Sequence, residues 1–267
     1  MKKLILFFYL LFFISHVTGQ NNDSTEICII GNPHNNTSYF NAQILDSILN
    51  RIKPDLILVE LDSSFFNSEF QYDTVKIPYL LKEEKSSPTI IASNNYRENH
   101  NNIDIRPFDI LGRNDFYKKH DFFNRKNQMY RDIFNYASQH SFSDRNFRDF
   151  VLLSISLDYV NSFNISSLKE LNSEALIKLV QLQQTIYLYK AIDIVETTDS
   201  LKRHIEFAHL QKGFWDKRNT RMILNIIYFT NKYKRIVVLT GNLHKYYLIN
   251  GLKRANGNYK LKEFWTY

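Results

Sequence analysis

The sequence predicts an α/β protein with a central, mostly parallel sheet flanked by helices and a helical insert in the middle of the chain. Three continuous apolar runs, at 26–30, 56–60 and 235–240, have the form of buried strands in a parallel sheet. A polar, aromatic-rich helical pattern fills about 114–210. We therefore expect the three strands to lie adjacent and parallel, with the insert as a lid beside or over their carboxyl ends.

The first nineteen residues have the pattern of a secretory signal peptide. Lys2 and Lys3 precede an apolar run at 4–14, and small residues follow before Gln20. An uncleaved N-terminal anchor is the alternative that this pattern leaves open. We expect an exported protein, periplasmic or secreted, with one domain at 20–267 and no stable membrane insertion after the signal is cleaved.

Composition excludes several classes of protein. The 267 residues are 44% hydrophobic and 23% charged, with 7 Gly, 5 Pro and 1 Cys, which rules out collagen-like, disulfide-stapled and low-complexity chains. The net charge of +7 is scattered, without the arginine-rich stripe that a phosphate backbone requires, so we expect no nucleic acid partner. The single Cys28 lies on a predicted strand and is expected to be a buried apolar residue.

The N-terminal elements form a predicted βαβ unit. We expect a helix capped by Ser38 and ending before Pro54 to connect the first two strands. The second strand runs into Glu60 and Asp62, and the alternation of side chains puts both carboxylates on the same side. A helix starting at 87–88 and a third strand at 103–105 follow, and Asp109 comes just after that strand.

The later elements repeat the pattern of the first ones. Helices of the insert are expected to break near 141–144, 164–167 and 197–200, and a further helix is expected to start near Phe214. His204 and His209 are five residues apart, so they diverge on a helix and are expected to be surface residues. The last helix leads into the apolar strand at 235–240.

Two strand ends carry the same short motif, Gly-x-x-His. Gly31 and His34 follow the first strand, and Gly241 and His244 follow the strand at 235–240. Glycine lets the chain turn sharply at the carboxyl edge of the sheet, where open α/β folds bind ligands. With Glu60, the two imidazoles would form a two-His, one-carboxylate metal site suited to Mn, Co, Zn or Fe(II). The alternative is that each histidine only satisfies turn backbone.

Two carboxylates are candidates for a supporting role at this site. Asp62 and Asp109 each lie just beyond a strand end and are expected to orient an imidazole through its second nitrogen or to contact substrate. There is no Gly-x-Ser-x-Gly elbow, and Cys28 precedes its strand end, which argues against a serine or cysteine nucleophile.

These motifs resemble those of a known group of proteins. The span at 30–62 resembles the opening motif of the TraB/PrgY and Tiki family, relatives of the ChaN and erythromycin esterase groups. Arg218-Asn219-Thr-Arg-Met on a helix, followed by a strand and Gly241-Asn-Leu-His244, resembles the family's closing signature. The resemblance covers roughly 26–62 and 213–254.

The resemblance implies a metal-dependent, peptidase-like hydrolase. His34, Glu60 and His244 then map to the catalytic or metal-binding positions, and Arg218 maps to the arginine of the closing helix. Asn219, beside Arg218, is expected to contact substrate or to support a site residue. In this hypothesis Glu60 ligates the metal or acts as general base, and Arg218 stabilises the oxyanion of a peptide or a small ester or amide substrate. The ChaN relatives suggest the alternative, a non-catalytic protein that binds haem, iron or a peptide.

Overall fold

The computed structural model describes residues 24–82, 84–161 and 164–267. The predicted signal peptide at 1–19 lies outside the described residues. No helix in the described part of the chain is long and apolar enough to cross a membrane.

The described strands form one parallel sheet, as the sequence predicts. Its order is β3-β2-β4-β1-β5. The strands are β1 (Thr25–Asn32), β2 (Leu56–Val59), β3 (Asp104–Pro107), β4 (Arg235–Gly241) and β5 (Tyr259–Lys262). The prediction that the first, second and last apolar runs are adjacent is confirmed, because β4 pairs with both β1 and β2. The carboxyl ends of all three therefore meet at one edge.

The helices cover both faces of the sheet and build the insert. They are α1 (Ala42–Ile52), α2 (Pro88–Asn99), α3 (Arg113–Lys119), α4 (Phe122–Gln139), α5 (Asp144–Asn161), α6 (Leu168–Leu171), α7 (Glu174–Thr185), α8 (Ala191–Thr197), α9 (Ile205–Phe229) and α10 (Asn242–Ala255). A π-helical turn, Ile186–Lys190, continues α7 into α8, and short 3₁₀ turns occupy Ser63–Phe65, Asp199–His204 and Phe264–Thr266. The predicted breaks within the insert are confirmed.

Three expectations about local structure were wrong. Asn41, and not Ser38, caps α1, because Thr37 and Phe40 pair across a tight turn that contains Ser38. The helix expected near Phe214 begins earlier, at Ile205, and runs unbroken through 25 residues. His204 is buried, with its Nε2 atom 2.7 Å from Asp132 Oδ2, whereas His209 is exposed as expected.

Apolar side chains form a separate core on each face of the sheet and a third core in the insert. Alternation along β1 sends Cys28 and Ile30 to one face and Ile27 and Ile29 to the other. Cys28 is a buried free thiol, as expected. The insert packs around Met129, Leu153, Ile194 and Phe207. That the insert acts as a lid stays a prediction.

Candidate active site at the carboxyl edge of the sheet

Glu60 ties the end of β2 to the turn after β4. Its Oε2 atom accepts hydrogen bonds from the Gly241 backbone N–H at 2.6 Å and from the Thr240 hydroxyl at 2.7 Å. Its side chain is only 8% exposed. The carboxylate therefore sits in a fixed position below the second Gly-x-x-His motif.

Arg218, from the middle of α9, joins Glu60 to Asp109. Its Nε atom lies 2.8 Å from Asp109 Oδ1, and its Nη2 atom lies 2.7 Å from Asp109 Oδ2 and 2.5 Å from Glu60 Oε1. All three side chains are buried. Arg113, at the start of α3, adds a second guanidinium, with Nη1 2.8 Å from Asp109 Oδ2 and 4.0 Å from Glu60 Oε1. The edge thus holds two carboxylates between two arginines.

This arrangement keeps Glu60 ionised. Burial opposes the charged form, but attraction to His244, which is protonated in the acidic range where Glu60 titrates, and to Arg218 and His34 outweighs burial and lowers the pKa of Glu60 to about 2. Burial also opposes the charge on Arg218, and its hydrogen bonds to Asp109 and its attraction to Glu60 raise its pKa above the ordinary value. At neutral pH Glu60 is therefore an ionised carboxylate held by the charged Arg218 guanidinium.

His244, in the first turn of α10, is fixed in one orientation. Its Nδ1 atom lies 2.7 Å from Asn219 Oδ1, while Asn219 donates its own amide hydrogen to the Trp215 carbonyl at 2.8 Å. Asn219 Oδ1 must then be the acceptor, so Nδ1 carries the proton and Nε2 has a free lone pair. The Trp215 ring stacks on the imidazole, with centroids 4.4 Å apart.

Burial makes His244 a neutral imidazole at physiological pH. It lowers the pKa of His244 to about 4, although the nearby Glu60 charge favours protonation. The Nε2 atom lies 3.5 Å from Glu60 Oε1. Both atoms are acceptors, so a proton or a cation between them would be stabilised by both.

His34 of the first motif lies on the glycine of the second motif. The His34 backbone has a φ of 66°, in the left-handed region, and its N–H donates to Asn32 Oδ1 at 2.9 Å. Asn32 in turn donates to the Thr240 carbonyl at 2.7 Å. A Cβ atom on Gly241 would lie 2.4 Å from His34 Nε2, so the imidazole occupies the space that only glycine leaves open. The two motifs are in contact, but their histidines differ in exposure: His34 is exposed and His244 is buried.

The donor set fits a divalent ion in part. A separation of 3.5 Å between His244 Nε2 and Glu60 Oε1 suits two ligands of one ion, since bonds of about 2.1 Å at a tetrahedral angle put the donors about 3.4 Å apart. Within 24–82, 84–161 and 164–267, no three His, Cys, Asp or Glu side chains are grouped closely enough to hold a metal ion. The pair fits, and the place of His34 in the set stays a prediction.

The supporting residues differ in their placement. Asn219 orients the His244 imidazole through its second nitrogen. Asp109 instead binds Arg218 and Arg113, and Asp62 caps the 3₁₀ turn after β2 by accepting from the Ser64 N–H at 2.9 Å. The structure therefore brings Asp109 to the site as an arginine partner, and its hydrogen bonds leave Asp62 with a local capping role.

Sequence reasoning missed Arg113, Trp215 and Thr240. Arg113 follows Asp109 by only four residues, and this closeness in the chain was a usable signal, although Asp109 lies before α3 and not on it. Trp215 precedes Asn219 by one helical turn, which puts both on one face of α9. Even a helix that begins near Phe214 contains both residues, so this spacing was also a usable signal. Thr240 carried no signal beyond its place at a strand end.

Comparison of the chain with protein-family models, with curated proteins and with solved structures finds no match. The resemblance of its motifs to those of the TraB/PrgY and Tiki family stays a prediction. The geometry of the site is therefore the basis on which its function is inferred.

Proposed function

We propose that this protein is an exported hydrolase, peptidase-like in its chemistry, that cleaves an amide or ester bond at the carboxyl edge of the sheet. One observation carries the proposal. His244 is neutral, held in one tautomer by Asn219 and directed through Nε2 toward the ionised Glu60. A lone pair fixed in this way is suited to take a proton or to bind a metal ion.

Without a bound ion, His244 Nε2 accepts a proton from the water that attacks the carbonyl carbon, and it returns that proton to the leaving amine or alcohol as the C–N or C–O bond breaks. The imidazolium that forms lies 3.5 Å from Glu60 Oε1, so the carboxylate stabilises it. Arg218 does not touch the reacting atoms in this scheme. It acts as a positioning residue, because its Nε and Nη2 atoms hold Asp109 and Glu60.

We assign the stabilisation of the oxyanion to Arg113 and not to Arg218. Arg113 is bound to Asp109 through Nη1, and its side chain is 20% exposed, whereas that of Arg218 is 7% exposed. A partly exposed guanidinium 4.0 Å from Glu60 Oε1 is accessible to substrate oxygen. Arg113→Met is expected to lower turnover by about 10²-fold.

A divalent ion is part of the proposal. His244, Glu60 and His34 are the residues that would hold it, and it would supply a more acidic bound water and a Lewis acid for the carbonyl. With the ion bound, the His244 Nε2 lone pair would be a metal ligand and would no longer act as the base, and Asn219 would keep the ring in place.

The test is turnover of fluorogenic peptide and ester libraries by chelator-treated protein, with and without Mn²⁺, Co²⁺, Zn²⁺ or Fe²⁺. We expect metal-stimulated cleavage that falls by about 10²-fold or more in His244→Gln and in His34→Ala. The exposed His209→Gln is the matched control and is expected to cleave normally. Full turnover in chelator, with loss only in His244→Gln, would remove the metal from the proposal. No turnover under any condition, with a Soret band on haem addition, would replace the hydrolase with a haem-binding protein.

The proposal of export depends on the sequence pattern at 1–19. We expect intact mass analysis of the exported protein to give a chain that starts at or near Gln20. Membrane-bound protein that retains Met1 would indicate an anchor instead.

A further inference from the structure

A cavity of about 420 Å³ lies beside the candidate active site, between α9 and the helices of the insert. Arg218 and Trp215 line it, so it is continuous with the cluster around Glu60 and His244. Its walls are largely apolar, and their aromatic residues are Tyr117, Phe122, Phe123, Tyr187, Phe214 and Trp215. A volume and lining of this kind suit a small organic group with an apolar body.

The charged side chains in the cavity wall are all positive among the described residues. Lys126 and Arg218 line the cavity, and no carboxylate side chain does so among the described residues. The Arg218 charge is matched by Glu60 and Asp109, but Lys126 forms no ion pair within the described part of the chain. Its Nζ atom instead lies 5.5 Å from the centre of the Phe123 ring. Burial lowers the pKa of Lys126, and no acidic group raises it.

The wall also contains a buried polar atom without a partner. Gln211, on α9 one turn before Trp215, is 6% exposed, and its Oε1 atom accepts no hydrogen bond from any described residue. An unpaired buried acceptor costs free energy unless a ligand satisfies it. Gln211 Oε1 is therefore a site for an N–H group of whatever fills the cavity.

We propose that this cavity binds the acyl part of the substrate and that this part has an aromatic or large apolar body with a carboxylate that pairs with Lys126. An amide N–H of the same group donates to Gln211 Oε1. The inference rests on the proposed function in one respect only, since it takes the occupant of the cavity to be the substrate of the neighbouring site. It narrows the substrate class from any amide or ester to an anionic one.

Fluorescence provides a binding test that needs no turnover. The chain has 2 Trp residues, so Trp265→Phe leaves Trp215, in the cavity wall, as the single reporter. N-acetyl-L-phenylalanine and its uncharged amide are the two probes, equal in body and different in charge. We expect the acid to bind about tenfold more tightly than the amide, the size of effect given by a charge-assisted hydrogen bond.

Variants of Lys126 test the source of this preference. Lys126→Gln is expected to abolish the preference for the acid, Lys126→Arg to restore it, and the exposed Lys119→Gln to leave it unchanged. Equal binding of acid and amide by the parent, no binding of either, or an equal loss in Lys119→Gln would overturn the proposal. If the acid binds through Lys126 but no library compound is cleaved, the proposed hydrolase fails while the anion-binding cavity stands.

Discussion

Replacing Arg218 by Met removes the more deeply buried of the two arginines that lie between Glu60 and Asp109 in the described part of the chain. The guanidinium makes three hydrogen bonds to two carboxylates whose side chains are 8% and 0% exposed. Leaving a buried charge without its partner typically costs 3–5 kcal/mol. Arg113 still binds Asp109 at 2.8 Å, so we expect a loss near the lower limit, about 3 kcal/mol.

The loss is expected to depend on pH in a defined direction. With Arg218 present, the folded-state pKa of Glu60 is about 2, below its ordinary value of 4.5, so its stabilising contribution is complete above pH 4.5 and is lost as the pH falls toward 2. Without Arg218, burial is less opposed and the folded-state pKa of Glu60 rises. Folding of the variant is then helped by protonation, and the difference between parent and variant shrinks from pH 7 to pH 4.

Urea unfolding followed by far-ultraviolet circular dichroism at both pH values measures this difference. Arg221→Met is the matched control, because Arg221 is exposed on the same helix, and it is expected to change the free energy of unfolding by less than about 0.5 kcal/mol. A loss below about 1 kcal/mol for Arg218→Met, or a loss that stays constant on acidification, would refute the assignment of Arg218 as the partner that keeps Glu60 ionised.

Three further predictions use single substitutions or pH. Gly241→Ala is compatible with the backbone φ of −58°, so the free energy of unfolding should change by less than about 1 kcal/mol, but the new Cβ, 2.4 Å from His34 Nε2, should displace the imidazole. Unchanged His34 resonances in NMR spectra would contradict this contact. Gly213→Ala, in α9 with no atom within 4 Å of the new Cβ, should raise the free energy of unfolding by roughly 1 kcal/mol, and a decrease in urea unfolding would contradict it. Because the pKa of His244 is about 4 folded and 6.5 unfolded, the unfolded chain gains a proton first, and stability should fall by on the order of 3 kcal/mol from pH 7 to pH 4; His244→Asn should remove that part of the pH dependence.

The strands and their shared edge could be predicted because continuous apolar runs that end in Gly or an acidic residue can be recognised in the sequence alone. The same pattern predicts that Glu60, Asp109 and His244 lie at one edge of the sheet. β5 could not be predicted in this way, because this four-residue edge strand alternates between half-buried and exposed residues and lacks a continuous apolar run.

The partners within the site could not be predicted in the same way. Arg218 lies 158 residues from Glu60 and 109 from Asp109, and its hydrogen bonds depend on where α9 crosses the sheet edge. The sequence indicated that Arg218 belongs to the site, but it did not indicate that the guanidinium would bind both Glu60 and Asp109. His244 is likewise bound by Asn219 and not by Asp62 because of how α9 is rotated about its axis. The pattern of apolar residues did not predict that rotation.

The position of β4 between β1 and β2 has a consequence for the order in which the molecule forms. Arg235 at the start of β4 lies beside Glu26, 209 residues earlier in the chain. β1 and β2 are not neighbours in the sheet, so they do not pair with each other and are joined only once β4 is in place between them. On the ribosome, β1 and β2 are therefore synthesised long before β4, the strand that pairs with both of them. Closing so large a loop is entropically costly, so we expect slow folding with strand edges open to chaperones or to self-association until residue 241 has emerged.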